Sequence, residues 1–180
     1  MASPSAAQPP AAAPRAFALF TQLCAWLSRI SLMLAVALLI GVIACVQWQV
    51  IGRYVFNDTP TWAEALALLL VLYLTSLAVA VGVRDAGHIG LESLATLLPA
   101  TWQRKLAIVV HLLVAIFGFL MAKSGWLWAT GKWDEKKPML GVPEGADYVP
   151  LVVAGVLIAL FSVEHVIALL RGEEVAPSWN

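Results

Sequence analysis

Three residues whose side chains could do chemistry lie inside otherwise apolar stretches: His111, Glu164 and His165. Each histidine lies about 8 Å from the same predicted membrane face, at a helical rise of 1.5 Å per residue. Two histidines at matching depth on different helices are what a haem with two imidazole ligands requires, so a haem- or quinone-associated membrane anchor of a redox complex is one interpretation. Alternatively, each imidazole bonds a neighbouring group, and Glu164 could accept a hydrogen bond from His111.

A second candidate is Glu64, at the start of another apolar stretch. Thr61 followed three residues later by Glu64 has the spacing of a capping box, which would satisfy free amide groups at the first turn of a helix. In the functional alternative, Glu64 pairs with Arg53 or Lys123, which lie at a similar depth on the same side. A charge at the membrane edge favours such a partner, and the pair would hold two helices together.

The sequence gives no sign of an enzyme. It contains no glycine-rich phosphate loop, no zinc-type cluster of histidine and cysteine, and no nucleophile beside a base. Cys24 and Cys45 are too few for a disulfide framework and lack metal-ligand spacing. The formal net charge of zero gives no support for a nucleic-acid partner. We therefore expect no catalytic residues, no cofactor and no metal.

The elements that must position these residues are membrane spans. Of the 180 residues, 61% are hydrophobic and 12% are charged, whereas a soluble domain carries roughly a quarter charged residues. Because about 20 apolar residues cross a bilayer as a helix, four stretches qualify, and Trp residues lie near their ends. We predict an all-α membrane protein whose four-helix domain covers 30–170, with spans at about 30–52, 62–83, 106–128 and 149–170.

The predicted tails are 1–29 and 171–180. A cleaved leader is the alternative at the start, because Val42-Ile43-Ala44-Cys45 resembles a lipoprotein cleavage site; the apolar run continues past Cys45, which favours a span. With four spans, both termini share a side with the connection between the second and third. Six Lys and Arg residues lie on that side and five on the other, a small excess that predicts cytoplasmic termini.

Two connections have features of their own. Residues 89–98 place Leu91, Leu94, Ala95 and Leu98 on one helical face, so we predict a short amphipathic helix that lies on the membrane surface or packs against a partner. The connection at 129–147 is the most polar part of the chain, and it is either a linker or a docking surface for a periplasmic partner. Its charged candidates are Lys132, Asp134, Glu135, Lys136 and Lys137.

The spans lack the features of a complete transporter. None is broken by proline at mid-membrane, and no repeat relates the two halves. Deep acidic residues for ion coupling are also absent, and the one candidate, Glu164, lies close to the membrane face. We therefore expect a chain that supports another subunit and does not move a solute alone.

Several short motifs, in this order on four spans, resemble those of one family. They are Arg53-Tyr54-Val55-Phe56-Asn57, Trp62-Ala63-Glu64, His88-Ile89, Gly141-Val142-Pro143 and Tyr148-Val149-Pro150-Leu151. Over residues 30–170 the chain resembles the small membrane subunit, the DctQ-like subunit, of tripartite ATP-independent periplasmic (TRAP) transporters. It departs from the family where Ala65 replaces a second acid, Leu68 a basic residue and Ala78 a small glycine.

The resemblance implies a scaffold in the bacterial inner membrane with both termini in the cytoplasm. Its expected partners are the lipid bilayer, a large membrane subunit that carries the substrate and sodium sites, and a periplasmic binding protein that delivers a carboxylate-type solute. The candidates for structural or interaction roles are Arg53, Tyr54, Asn57, Trp62, Glu64, His88 and Lys123.

Overall fold

The computed structural model describes residues 15–58, 60–85, 99–172 and 175. This part of the chain forms four long α-helices and a short 3-10 helix at Glu144–Asp147. The long helices are α1 (Arg15–Val55), α2 (Thr61–Asp85), α3 (Ala100–Gly131) and α4 (Val149–Arg171). Each is long and apolar enough to cross a membrane, which confirms the predicted four-helix, all-α fold. His88 and the predicted interfacial helix at 89–98 lie outside the described residues.

The first helix is much longer than its predicted span. The predicted membrane span covers about 30–52, whereas the helix begins at Arg15 and has 41 residues, a length of about 60 Å against a hydrocarbon thickness of about 30 Å. Hydropathy identifies the uncharged part that suits lipid, whereas a helix continues through polar residues such as Gln22 and Arg29 as long as nothing breaks it. The predicted bounds of α2 and α4 differ from the observed ones by at most two residues, and α3 starts six residues earlier.

The helices pack in the order α1, α2, α4, α3, because α1 packs on α2, α2 on α4, and α4 most extensively on α3. The last helix is therefore central. In its most apolar stretch of 18 residues, 50% of the residues are buried, against 11% for the same stretch in α1, 17% in α2 and 11% in α3. The apolar core is built around α4, with Leu157, Ile158 and Phe161 against Cys24 of α1 and Ala80 of α2.

Small residues allow α3 and α4 to approach closely. A Cβ atom added to Gly155 would lie 2.6 Å from the backbone nitrogen of Ala122 and from the carbonyl oxygen of Gly118. A Cβ atom on Gly118 would in turn lie 2.8 Å from the carbonyl oxygen of Gly155. Such contacts between backbones are typical of membrane helices joined by small residues, and they make α3 and α4 a tightly packed pair.

Candidate functional site

A buried ion pair joins α2 to α4. Nε of Arg84 donates to Oε2 of Glu164 at 3.0 Å, and Nη2 donates to Oε1 at 3.1 Å. Neither side chain has any exposed surface (0% for both). Two parallel hydrogen bonds are the arrangement that a planar guanidinium group makes with a carboxylate. Because either charge alone would be very costly in this setting, the pair fixes how α2 and α4 lie against each other.

The next residue, Asp85, extends this contact to α1. Its Oδ1 accepts a hydrogen bond from Nη1 of Arg84 at 3.1 Å, and its Oδ2 accepts one from the Ser28 hydroxyl at 3.3 Å. Ser28 is completely buried on α1, one turn after the equally buried Cys24. A polar residue in α1 thus contacts the charged end of α2, within the part of α1 that the sequence assigned to the tail.

The two histidines connect α3 to the same place. Nε2 of His165 lies 2.8 Å from the backbone oxygen of Arg84 and donates to it, since a carbonyl oxygen only accepts. The ring of His111, on α3, stacks on the ring of His165 with 4.6 Å between centroids and 7° between planes. All four helices therefore meet at one group of side chains, which we name the buried polar cluster: Ser28, Arg84, Asp85, His111, Glu164 and His165.

This geometry does not fit the haem interpretation. Two axial imidazoles must each point a nitrogen at one iron from opposite sides of the porphyrin plane. Here the rings lie face to face, and Nε2 of His165 already bonds the Arg84 carbonyl. Both carboxylate oxygens of Glu164 bond Arg84, in place of the bond from His111 that the sequence suggested. The redox-anchor alternative therefore finds no support in this geometry.

The candidate residues at the connection between α1 and α2 form an exposed tip. Arg53, Tyr54, Asn57, Trp62 and Glu64 are all exposed, and Tyr54 is 81% exposed. Asn57 adopts a left-handed conformation with φ of 52°, which asparagine tolerates better than most residues. The preceding Gly52 is buried, and a Cβ atom there would lie 2.8 Å from the Asp58 carbonyl oxygen. The turn is therefore well defined, and it presents these side chains outward.

The structure does not bring Glu64 together with its expected partners. The helix α2 begins at Thr61, one residue before the start that a capping box at Thr61 would give. Among the described residues Glu64 makes no hydrogen bond to cap that helix and no ion pair. Arg53 and Lys123 are likewise exposed and form no ion pair within the described chain. Lys123 lies on α3, a helix that packs on α4.

The polar connection after α3 is folded onto itself. Lys132 forms ion pairs with Glu144 at 2.9 Å and Glu135 at 3.3 Å. Lys137 pairs with Asp147 at 2.6 Å. The backbone nitrogen of Glu144 also donates to the carbonyl oxygen of Glu135 at 2.7 Å. We name residues 132–148 the outer loop; it is an ordered structure, and its internal ion pairs occupy three of the five predicted docking residues.

The remaining two docking candidates differ from the others. Asp134 and Lys136 are exposed, and in the described chain neither forms an ion pair.

Another contact anchors the loop to the helices, because the Tyr73 hydroxyl on α2 donates to the Ala146 carbonyl oxygen at 3.0 Å. Hydrogen bonds to Glu144 and then Glu135 raise the pKa of Lys132 above its ordinary value, so Lys132 remains charged well above neutral pH.

Sequence reasoning missed Arg84 and Asp85 as site residues. Arg84 entered only the count of positive charges, because an arginine at the end of an apolar stretch is ordinary at a membrane surface. The available signal was the coincidence of two charged pairs, Arg84-Asp85 and Glu164-His165, both near the same predicted membrane face. Opposite charges at one depth on different helices indicate an interhelical ion pair.

Comparisons with known proteins agree with this architecture. Residues 42–172 match the family described as tripartite ATP-independent periplasmic transporters, DctQ component. A TRAP transporter small permease protein of Haemophilus influenzae is 24% identical over 129 residues, which are 69% of this chain and 80% of that protein. The sialic acid TRAP transporter small permease protein SiaQ of Vibrio cholerae is 27% identical over 90 residues, 50% of this chain and 51% of that one.

A third relative is a longer protein. The sialic acid TRAP transporter permease protein SiaT of Haemophilus influenzae is 29% identical over 100 residues, which are 56% of this chain but only 16% of that protein. A region similar to this chain therefore forms a small part of a long permease polypeptide. The family match covers most of the four-helix region and includes the outward tip, the outer loop and α4. This multi-pass membrane protein belongs to the DctQ family of TRAP transporter small permease subunits.

Proposed function

We propose that this chain is the scaffold subunit of a sodium-driven TRAP transporter that takes up a carboxylate-type solute. In this proposal it pairs with a large permease subunit, and a periplasmic binding protein delivers the solute. The observation that carries the scaffold role is where its polar groups lie. The buried charges of the helix bundle, on Arg84, Asp85 and Glu164, are paired within the buried polar cluster, whereas the outward helix surfaces are dominated by large apolar side chains suited to lipid or another subunit.

The relationship to SiaT supports a large permease as the partner. A region similar to this chain occupies 16% of that permease polypeptide. When one protein joins in a single chain two regions that another organism makes separately, the separate proteins are expected to associate. A helix bundle with this much exposed apolar surface also needs either lipid or a second subunit to cover it.

The names of these relatives support the proposed solute class. Sialic acid, the solute in the names of SiaQ and SiaT, is a sugar acid that bears a carboxylate. This chain offers no deep acidic site of its own for sodium among the described residues, because Glu164 is committed to Arg84. We therefore assign solute and sodium binding to the large permease.

A transport assay tests the scaffold role. The two membrane subunits, reconstituted together with the binding protein, should accumulate solute when an inward sodium gradient is applied. Vesicles with this chain alone, or with the large permease alone, should show only background uptake. Uptake by this chain alone would overturn the proposal, and uptake that persists after the sodium gradient is replaced by potassium would overturn sodium coupling.

We further propose that the protein lies in the bacterial inner membrane with both termini in the cytoplasm. The buried polar cluster then lies near the cytoplasmic face, and the outer loop and the α1–α2 tip face the periplasm. The positive residues counted in the sequence support this orientation. A fluorescent reporter that folds only in the cytoplasm should be active when fused after Asn180, and activity of a periplasmic reporter at the same position would reject it.

The exposed charges on the outer loop are the proposed docking contacts for the binding protein. Lys136 and Asp134 are the better candidates, because Lys132, Glu135 and Lys137 already form ion pairs within the loop. We expect Lys136→Glu to slow binding-protein docking and to reduce its salt dependence without unfolding the loop. Lys105→Glu, an exposed change on the opposite side of the membrane in this orientation, is the control. Equal docking rates for the two variants would reject the contact.

The exposed tip is the second proposed contact surface. Arg53, Tyr54, Asn57, Trp62 and Glu64 present both charges and aromatic rings there, a mixture typical of interaction surfaces. Replacing Tyr54 with alanine should weaken assembly or docking while the helices stay folded, because this residue is 81% exposed. Wild-type solute uptake by the Tyr54→Ala complex would remove the tip from the interface.

A further inference from the structure

The side of α3 that faces away from α4 carries an apolar stripe interrupted by one charge. Gly118 and Gly125 face α4 and are buried. The opposite side presents residues at spacings of three and four, so that they fall on one face of the helix. We name this set the α3 stripe: Val109, Leu112, Ile116, Phe119, Lys123 and Leu127, all of them exposed.

Lys123 lies within the membrane-spanning part of that stripe. It is eight residues before the end of α3 at Gly131, or about 12 Å along the helix axis, and it is one turn inside Trp126. It forms no ion pair with the described residues of this chain. An ammonium group at this depth is costly in hydrocarbon unless it reaches a carboxylate or the lipid phosphates.

The other edge of the helix row offers a direct contrast. α1 also exposes a large apolar surface, including Met33, Ile40 and Ile43. Between Ile30 and Gly52, however, α1 contains no charged residue, so lipid alone can solvate it. Of the two edge helices, both within the described part of the chain, α3 combines an exposed apolar face with an intramembrane cation and α1 does not. The spacing of the α3 stripe also suits helix packing, since side chains three and four residues apart form the seam between two packed helices.

Resting on the proposed pairing with a large permease, we propose that the α3 stripe packs against a transmembrane helix of that permease and that Lys123 forms an ion pair with an aspartate or glutamate on it. The positive charge of Lys123, which a carboxylate on the permease would complement, distinguishes the α3 stripe from the exposed face of α1. The apolar residues on either side, Phe119 and Leu127, exclude lipid from the pair. The ion pair would set the register between the two subunits, because a shift of one turn would leave both charges without a partner.

The test uses the whole complex, purified through a tag on the large permease. We expect Lys123→Met to reduce the amount of this chain retained by about tenfold or more, the change that a loss of about 1.4 kcal/mol of binding free energy produces. Lys123→Arg should retain it. Each variant should keep the wild-type thermal midpoint when purified alone, which separates lost binding from lost folding.

A second measurement identifies what covers the face. A photo-crosslinking amino acid at Phe119 should capture the large permease, and the same probe at Ile43 on α1 should not. Normal retention of Lys123→Met, with lipid as the only cross-linked product at Phe119, would show that Lys123 reaches a lipid phosphate and would overturn this inference alone. Equal capture from Ile43 and Phe119 would reject the assignment to α3. Failure of the wild-type chain to co-purify would reject the proposed function itself.

Discussion

The buried polar cluster and the outer loop hold their charges in opposite ways. In the cluster, Arg84 and Glu164 are fully buried and bonded through two parallel hydrogen bonds. In the outer loop, Lys132 and its partners keep between 29% and 60% of their side-chain surface exposed. Both regions contain ion pairs with similar distances, but the cluster joins four helices, whereas the loop pairs mainly join residues near in sequence.

The contrast shows that the burial of an ion pair, more than the distance between its charged atoms, determines how strongly the fold depends on it. An exposed pair exchanges contacts with water for contacts with each other, and the net gain is small. A buried pair gains little over an apolar pair of the same shape, but breaking it leaves a charge without a partner and costs much more. We therefore expect the buried polar cluster to be required for the observed arrangement of the four helices. Each ion pair of the outer loop should be removable with little loss of stability.

The largest expected effect is the loss of Arg84. Arg84→Met leaves the carboxylates of Glu164 and Asp85 without their cation, so the free energy of unfolding in detergent should fall by about 3–5 kcal/mol. Thermal or denaturant unfolding followed by circular dichroism measures it. If Arg84→Met expresses too poorly for measurement, the same loss appears as a fall in folded protein by size-exclusion chromatography.

A double variant shows whether the charge itself is responsible. In Arg84→Met/Glu164→Leu the buried carboxylate of Glu164 is removed as well, and stability should recover part of the loss, because Asp85 keeps its hydrogen bond from Ser28 but not its cation. A double variant that is as unstable as Arg84→Met alone would mean that the shape of the arginine side chain, and not the unpaired charge, determines the effect. The contrast between the two regions would then need a different explanation.

The second effect tests the close approach that brings His111 to the cluster. Gly155→Val introduces atoms where a Cβ alone would already lie 2.6 Å from the backbone of α3. Because rigid backbone cannot yield as a side-chain end would, we expect a loss of about 1–3 kcal/mol or more. Gly82→Ala is the control for adding a Cβ to a helix glycine, since nothing lies within 4 Å of a Cβ there. Equal stability of the two variants would contradict the tight α3–α4 packing.

The sequence was sufficient to predict the fold but not the cluster. Hydropathy and length predicted four long apolar helices, because lipid imposes both on a spanning helix. The partner of Glu164 depended on which helices are neighbours, and no local pattern contains that information. Depth alone made His111 a candidate donor; the order α1, α2, α4, α3 instead places Arg84 beside Glu164. The early start of α1 was missed because hydropathy marks suitability for lipid and does not mark where a helix begins.

A smaller effect is expected where the outer loop meets α2. Tyr73→Phe removes the hydroxyl that bonds the Ala146 carbonyl oxygen and keeps the ring in place. A single partly buried hydrogen bond contributes about 1 kcal/mol, so stability should fall by about that amount, with faster proteolysis within the outer loop. Tyr54→Phe, at a side chain that is 81% exposed, should change neither measurement. A loop that is cleaved no faster in Tyr73→Phe would show that its own ion pairs suffice to hold it.

The smallest effect is expected at Lys132. Lys132→Met removes two exposed ion pairs at once, yet the unfolding midpoint should shift less than in Tyr73→Phe. The shift should shrink further in high salt, which screens exposed charges.

The pKa of Lys132 is raised above its ordinary value by Glu144 and Glu135. A group with a raised pKa contributes its stabilisation below its unfolded pKa and loses it only as the pH rises through the folded pKa. The difference between wild type and Lys132→Met should therefore be constant from pH 7 to 9. A shift as large as that of Arg84→Met would show that exposure does not separate the two regions.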